Sequence, residues 1–173
     1  MANLAKQELR KQLQAMRPAS SAGLAQRLIE LTRELGAKTI ASYVSTSKEP
    51  DVSEFNSWVQ EHGTLLLPRV TGDQLEFAAG DLAPGAFGLR EPTGPALAVS
   101  EIEFLVVPAL ALDVHGNRLG KGKGFYDRLL AEVQAVSCAV VFDHELFNAL
   151  EVEDHDQQVD YVVTPTRTIR TSS

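Results

Sequence analysis

Apolar positions recur along this chain at two spacings, and the spacing alone divides it into helices and strands. Leu4, Leu9, Leu13 and Met16 fall on one helical face, with Asn3 placed as a cap and Pro18 as a stop. Leu24, Leu28, Leu31 and Leu35 form a second stripe, opened by Ser20 or Ser21 and closed by Gly36. A strand follows at 39–44, then a polar loop at 45–49. A short helix begins at Pro50 and Asp51, carries Val52, Phe55 and Val59, and ends at Gly63. Residues 64–68 read as a buried strand, and the alternation at 75–78 suits an edge strand or a hairpin arm. The apolar run 104–112 reads as a buried strand plus its exit, 125–133 as a helix, and 137–142 as a strand. Asp143, His144 and Glu145 fit the cap of a helix at 146–150 better than a metal cluster. A last strand at 161–164 leads to a tail at 165–173.

Strands that alternate with helices predict a mostly parallel sheet with helices on both faces, here as one domain over residues 1–173. In such sheets ligands bind beyond the carboxyl ends of the strands. The loop after 39–44 and the loop after 104–107 would then face one crevice. Residues 79–100, rich in Gly and Pro, read as a long loop, and long loops in compact domains are often functional.

One stretch fits neither period. Residues 116–128 read G-N-R-L-G-K-G-K-G-F-Y-D-R, with four glycines and four cations in thirteen positions. Glycines at that spacing weaken helix and strand alike, but they let backbone approach a ligand closely. Their N–H groups can converge as an anion-binding concavity, and a helix start just beyond favours phosphate. The spacing matches neither G-x-x-x-x-G-K-[ST] nor G-x-G-x-x-G. A flexible loop with solvated lysines is the plainer alternative.

Composition sharpens this picture. Hydrophobic residues make up 44% and charged residues 23% of the 173, an ordinary globular mixture. The net charge of −7 argues against general nucleic-acid or anionic-membrane binding. Against that background Arg118, Lys121, Lys123 and Arg128 form a local positive island. Asp127 sits beside it, either as a first-turn acid favourable to the helix dipole or as a ligand for Mg²⁺ between carboxylate and phosphate. Cys138 is the only cysteine and lies in an apolar strand, so it reads as core. The charged N-terminal residues and the lack of a long apolar run point to a soluble, cytoplasmic protein.

Val107-Pro-Ala-Leu-Ala-Leu-Asp113 followed by the 116–128 stretch resembles the signature of the 5-formyltetrahydrofolate cyclo-ligase family. Weaker matches extend it: Lys6-x-x-Leu9-Arg10, residues 43–49, Leu67-Pro68-Arg69, Glu91-Pro92, and His155-Asp156 with Asp160. The resemblance implies a three-layer α/β/α fold with a mostly parallel sheet, NagB/RpiA/CoA-transferase-like, acting as a monomer. It implies closure of 5-formyltetrahydrofolate to 5,10-methenyltetrahydrofolate with ATP and Mg²⁺, giving ADP and phosphate. The formyl oxygen is phosphorylated, N10 attacks the activated carbon, and phosphate departs. By the same resemblance Lys6, Arg10, Arg118, Gly120, Gly122, Gly124 and Tyr126 belong to the ATP site. Val44, Glu49 and residues 121–125, Phe125 included, border the folate, with Arg118, Lys121 and Lys123 as the catalytic cations. Asp127 and Asp156 match the Mg²⁺ ligands, with Asp156 preferred over Asp160. Three positions depart from the pattern or vary within it: Phe125 where Tyr is usual, Glu151 where Pro is common, and Arg69 where Lys is equally at home. A regulator that binds nucleotide or sugar phosphate without turnover is the alternative.

Overall fold

The computed structural model describes residues 2–17, 19–154 and 156–171, with the side chains of residues 2–4 left out. Pro18, His155 and the side chains of Asn3 and Leu4 therefore lie outside the described residues. The chain opens with helices α1 (Ala2–Met16) and α2 (Leu24–Leu35), strand β1 (Thr39–Ala41), helix α3 (Ser53–His62), and strands β2 (Thr64–Thr71) and β3 (Gln74–Ala78). Short strands β4 (Leu82–Pro84), β5 (Arg90–Pro92) and β6 (Ala96–Leu97) come next. β7 (Phe104–Pro108), β8 (Ala111–Asp113), β9 (Arg118–Leu119) and α4 (Phe125–Glu132) carry the central stretch. The chain finishes with β10 (Val136–Val140), β11 (Leu146–Phe147), β12 (Tyr161–Val163) and β13 (Thr168–Arg170).

Eight strands form one sheet in the order β13-β12-β10-β7-β1-β2-β3-β6. The inner five, from β12 to β2, are parallel, and β13, β3 and β6 add antiparallel rims. Their near-continuous apolar sequence follows from burial on both faces. On one face Ile40, Phe104, Val106, Cys138 and Val140 meet Leu24, Leu28 and Leu31 of α2 and Phe55 and Val59 of α3. On the other, Ala41, Leu105, Val107, Ala139 and Val141 meet Leu129 of α4. Each fully buried side chain of this size, such as Phe104, contributes about 1.5–3 kcal/mol. No described helix is long and apolar enough to cross a membrane.

The mostly parallel three-layer expectation agrees with this architecture, but four local readings need correction. First, α1 does not cover the main sheet. Its Leu13 packs on Leu110, Ala111 and Leu119, within a small sheet of order β11-β8-β9. Second, α2 starts at Gly23, not at a serine cap: Ser20 Oγ accepts from Ala22 N, and Ser21 Oγ from Asp51 N across to the next helix. Third, residues 146–150 are not helical. Glu145 is drawn wholly into the interior by Arg17, so 143–145 makes a 3-10 turn into β11. Fourth, 79–100 and 165–173 contain paired strands rather than plain loop and tail.

Two glycines separate backbone strain from a steric clash. Gly36 ends α2 at φ 66° with open space where a Cβ would sit, whereas Gly23 has φ 99° and would place a Cβ 2.5 Å from the Pro165 carbonyl oxygen. Gly36→Ala is expected to cost about 1 kcal/mol, the left-handed penalty alone. Gly23→Ala should cost clearly more, because the segment entering β13 must also move. Urea midpoints of the two variants check the ranking, and equal values would contradict it.

Candidate active site

The carboxyl ends of β1 and β7 open onto one cavity of about 980 Å³. Four stretches distant in sequence meet there: α1, the loop after β1, residues 118–128, and a segment contributing Glu153, Asp156 and Gln157. Every site residue read from the sequence lines it: Lys6, Arg10, Val44, Glu49, Arg118, Asp127, Asp156, and Gly120 to Tyr126 without a gap.

The 116–128 stretch is built in two parts. Gly116, at φ 90°, makes the turn between β8 and β9 and sits against the Val159 carbonyl, outside the cavity. Gly120 begins the exposed loop, and Gly124, at φ 75°, starts α4 facing the cavity. Among the described residues, no backbone carbonyl takes the N–H groups of 120–124. Free N–H groups leading into a helix N-terminus are the arrangement that favours an anion.

Each cation of this site has a counterpart. Lys6 Nζ lies 2.9 Å from Asp156 Oδ2 and 3.7 Å from Glu153. Arg10 Nε donates to the Gly120 carbonyl at 2.8 Å, tying α1 to the glycine loop. Lys121 Nζ meets Glu49 at 3.2 Å, and Glu49 is itself oriented by the N–H of Thr46. Lys123 Nζ stands 3.6 Å from the centre of the Phe87 ring, a cation–π contact. Arg128, the fourth cation of the stretch, rims the cavity but is turned to the Asp73 carbonyl, bracing α4 against the β2–β3 turn.

Arg118 is the most enclosed of these cations. Its Nε donates to the Pro108 carbonyl at 2.8 Å, and its guanidinium lies over the Tyr126 ring. Burial pulls its pKa down, while the charges of Asp127, Tyr126 and Asp156 oppose that pull. Burial also pushes the phenols of Tyr126 and Tyr43 up, so neither serves as a base near neutral pH.

Asp127 sits in the first turn of α4 with its Oδ1 buried and without a hydrogen-bond partner, 3.6 Å from Arg118. An orphaned carboxylate oxygen beside an anion loop fits a bound cation. Among the described residues no three His, Cys, Asp or Glu converge on one point, so other ligands would come from phosphate and water. Asp160 is placed differently: its carboxylate accepts from the N–H and hydroxyl of Ser137 between β10 and β12.

The far wall was not legible from the sequence. Phe87 projects from the 79–100 segment at φ 58°, is 60% exposed, and lies 6.2 Å from Phe125. Leu89, Pro68, Val70 and Leu75 complete that apolar side. Glu91 and Arg69 hold it in place. Glu91 accepts from Val70 N, and Arg69 donates to Glu76 and to the carbonyls of Pro92 and Gly94. The signals were the length of the segment, its Glu-Pro pair and the Leu67-Pro68-Arg69 match, none of which pointed to Phe87.

Comparison with known proteins gives the family and the fold. The sequence model of the 5-formyltetrahydrofolate cyclo-ligase family matches residues 2–165. A 5-formyltetrahydrofolate cyclo-ligase of Mycolicibacterium smegmatis is 34% identical over 151 residues, covering 79% of this chain and 78% of the relative. The solution structure of Aquifex aeolicus 5,10-methenyltetrahydrofolate synthetase superposes with a TM-score of 0.86 at 31% identity, covering 97% of this chain and 93% of that one. A Mycoplasma pneumoniae 5,10-methenyltetrahydrofolate synthetase, at 22% identity and a TM-score of 0.76, shares the fold.

A Cβ at Gly120 would come within 2.9 Å of the Arg118 guanidinium. Gly120→Ala is therefore expected to keep the fold but displace Arg118, lowering kcat/KM by about tenfold or more. Steady-state rates alongside a thermal melt check this; a wild-type rate would remove Arg118 from the working site.

Proposed function

We infer a mechanism from one premise: the chain belongs to the 5-formyltetrahydrofolate cyclo-ligase family. Its reaction converts 5-formyltetrahydrofolate to 5,10-methenyltetrahydrofolate, with ATP as the family's co-substrate. The formyl oxygen is a poor leaving group. Transfer of the γ-phosphoryl group to it makes a phosphate leaving group. N10 then forms the new bond to the formyl carbon and loses its proton, and phosphate departs with the oxygen. Such chemistry depends on positioning and charge neutralisation more than on a protein nucleophile.

The observation that carries this reading is the convergence of Lys6, Arg10, Arg118, Lys121 and Lys123 on one cavity with a buried Asp127 oxygen that accepts no hydrogen bond and has only the longer ion pair with Arg118. Lys6, Arg10 and Arg118 receive the ATP phosphates on the loop of Gly120, Gly122 and Gly124, with Tyr126 beneath. Val44, Glu49 and Phe125 hold the folate, and Lys121 and Lys123 reach the formyl end. At about 980 Å³ the cavity is at the upper end for a single ligand, as two substrates require. Asp127 and Asp156 would hold Mg²⁺, which supplies neutralisation of the transferring phosphoryl charge. One chain supplies all of these cationic side chains and both carboxylates, which supports action as a monomer.

Asp127→Asn and Asp156→Asn are each expected to weaken the apparent Mg²⁺ affinity in rate titrations and in magnesium binding to the ATP complex. Asp160→Asn should instead lower stability, since it holds Ser137. A wild-type Mg²⁺ response in Asp156→Asn would overturn the assignment of that ligand.

Phe125 has its ring centre 6.2 Å from that of Phe87 and the Arg128 guanidinium over its ring, both aromatic contacts that need no hydroxyl. Phe125→Tyr is therefore expected to change kcat/KM by less than about tenfold. Phe125→Ala should raise the KM for 5-formyltetrahydrofolate. A large gain in kcat on adding the hydroxyl would show that proton transfer, not stacking, decides this position.

A further inference from the structure

Below the cavity lies a charge pair that takes no part in the chemistry above. Arg17, one residue beyond α1, has its side chain 2% exposed, and the Glu145 side chain is fully enclosed. Arg17 Nε donates to Glu145 Oε2 at 2.6 Å, one Nη donates to Glu145 Oε1 at 2.8 Å, and the same Nη reaches the Ala109 carbonyl at 2.8 Å. Glu145 Oε1 also accepts from Phe142 N at 2.9 Å, and the guanidinium lies over the Phe142 ring. Ala109 directly follows Pro108, whose carbonyl is held by Arg118. The exit of β7 is thus gripped at successive carbonyls by Arg118 from the cavity side and Arg17 from α1.

We propose that the clamp of Arg17 on Glu145 and Ala109 is the positioning element that sets the pose of α1, and so the placement of Lys6 and Arg10 on the nucleotide. The proposal rests on the reading of Lys6 and Arg10 as nucleotide ligands. Among the described side chains, the apolar anchorage of α1 is one narrow stripe, Leu13 with part-buried Leu9, against Leu110, Ala111, Leu119, Phe147 and Leu150. A single stripe resists separation but only weakly resists tilt and sliding. Lys6 is eleven residues from Arg17, about 16 Å along a helix, so a tilt of about 10° at the clamp moves Lys6 by about 3 Å. That displacement would break its contacts. A buried ion pair does little for net stability, because desolvation offsets attraction, but its forked geometry admits one arrangement. Arg17 supplies that arrangement without touching substrate.

The experiment measures initial rates with ATP and 5-formyltetrahydrofolate varied separately, beside thermal melts. Arg17→Met leaves Glu145 buried without its partner and is expected to lose stability. The double variant Arg17→Met with Glu145→Leu removes both charges and should recover stability. Both should raise the KM for ATP by about tenfold or more while kcat at saturating ATP and the folate KM stay within about twofold. Arg17→Lys keeps the charge but lacks the fork, and should fall between. A stable double variant with wild-type ATP KM would overturn the proposal, as would a uniform fall in every kinetic constant. Lys6→Ala and Arg10→Ala are run beside them. If those two raise the ATP KM and the Arg17 variants do not, the clamp fails alone. If neither does, the nucleotide assignment itself is wrong.

Discussion

The site depends on one electrostatic constraint: cations must be held in a partly enclosed cavity of a chain with net charge −7 before any phosphate reaches them. Burying a charge without a partner is costly, and a lysine left free in solvent loses its aim. The chain meets both demands with internal stand-ins. Asp156 holds Lys6, Glu49 holds Lys121, the Gly120 carbonyl holds Arg10, and the Phe87 ring faces Lys123. Each of these cations has only one or two such contacts, so a polyphosphate that offers several oxygens to each cation can replace them. Arg118 is the exception. Its Nε stays on Pro108, leaving the rest of its guanidinium turned toward Asp127 and Tyr126.

Bringing those partners together is the work of the sheet. Glu49 follows β1, Arg118 opens the β9 strand beyond β7, and Asp156 precedes β12. Because β1, β7 and β12 run parallel in one sheet, the segments beyond β1 and β7 emerge on one side. The segment before β12 is brought back to that side by Asn117 bridging Gln158 and by Val159 N bonding the Gly116 carbonyl. The β8–β9 hairpin therefore does two tasks: it presents Arg118 and it anchors the strap that carries Asp156. Asp113, wholly buried, fixes that hairpin by accepting from the N–H of His115, Asn117 and Leu150 and from the Asn117 side chain.

This explains what could be read from the sequence. The parallel core was legible because burial on both faces leaves apolar runs at β7, β10 and β12, and the helical stripes of α2 and α3 have plain periodicity. The glycine loop stood out because its glycines suit no regular element. Elements held by long-range polar contacts were not. Nothing local marks Glu145 as the partner of Arg17, 128 positions away, so its acid-rich surroundings read as a cap. Nor does anything local mark Phe87 as a cavity wall, since its exposure and its positive φ depend on how Arg69 and Glu91 pin the 87–94 segment to β2.

The alternation G-K-G-K-G has its own logic, which differs at each glycine. Gly120 has no positive φ; it is glycine because Arg118 occupies the space of its side chain. Gly122 has φ 103°, and a Cβ there would meet only ordinary van der Waals contact with the Arg10 guanidinium, so its conformation, not crowding, is the requirement. Gly124 needs both freedoms, at φ 75° and 2.8 Å from Arg128, because there the loop becomes α4. The two lysines between them point apart, Lys121 to Glu49 beyond β1 and Lys123 to Phe87 on the far wall. Left-handed turns between residues two apart are what let one short loop send cations to opposite sides of the same cavity. A single strand or helix turn would send both the same way or bury one of them.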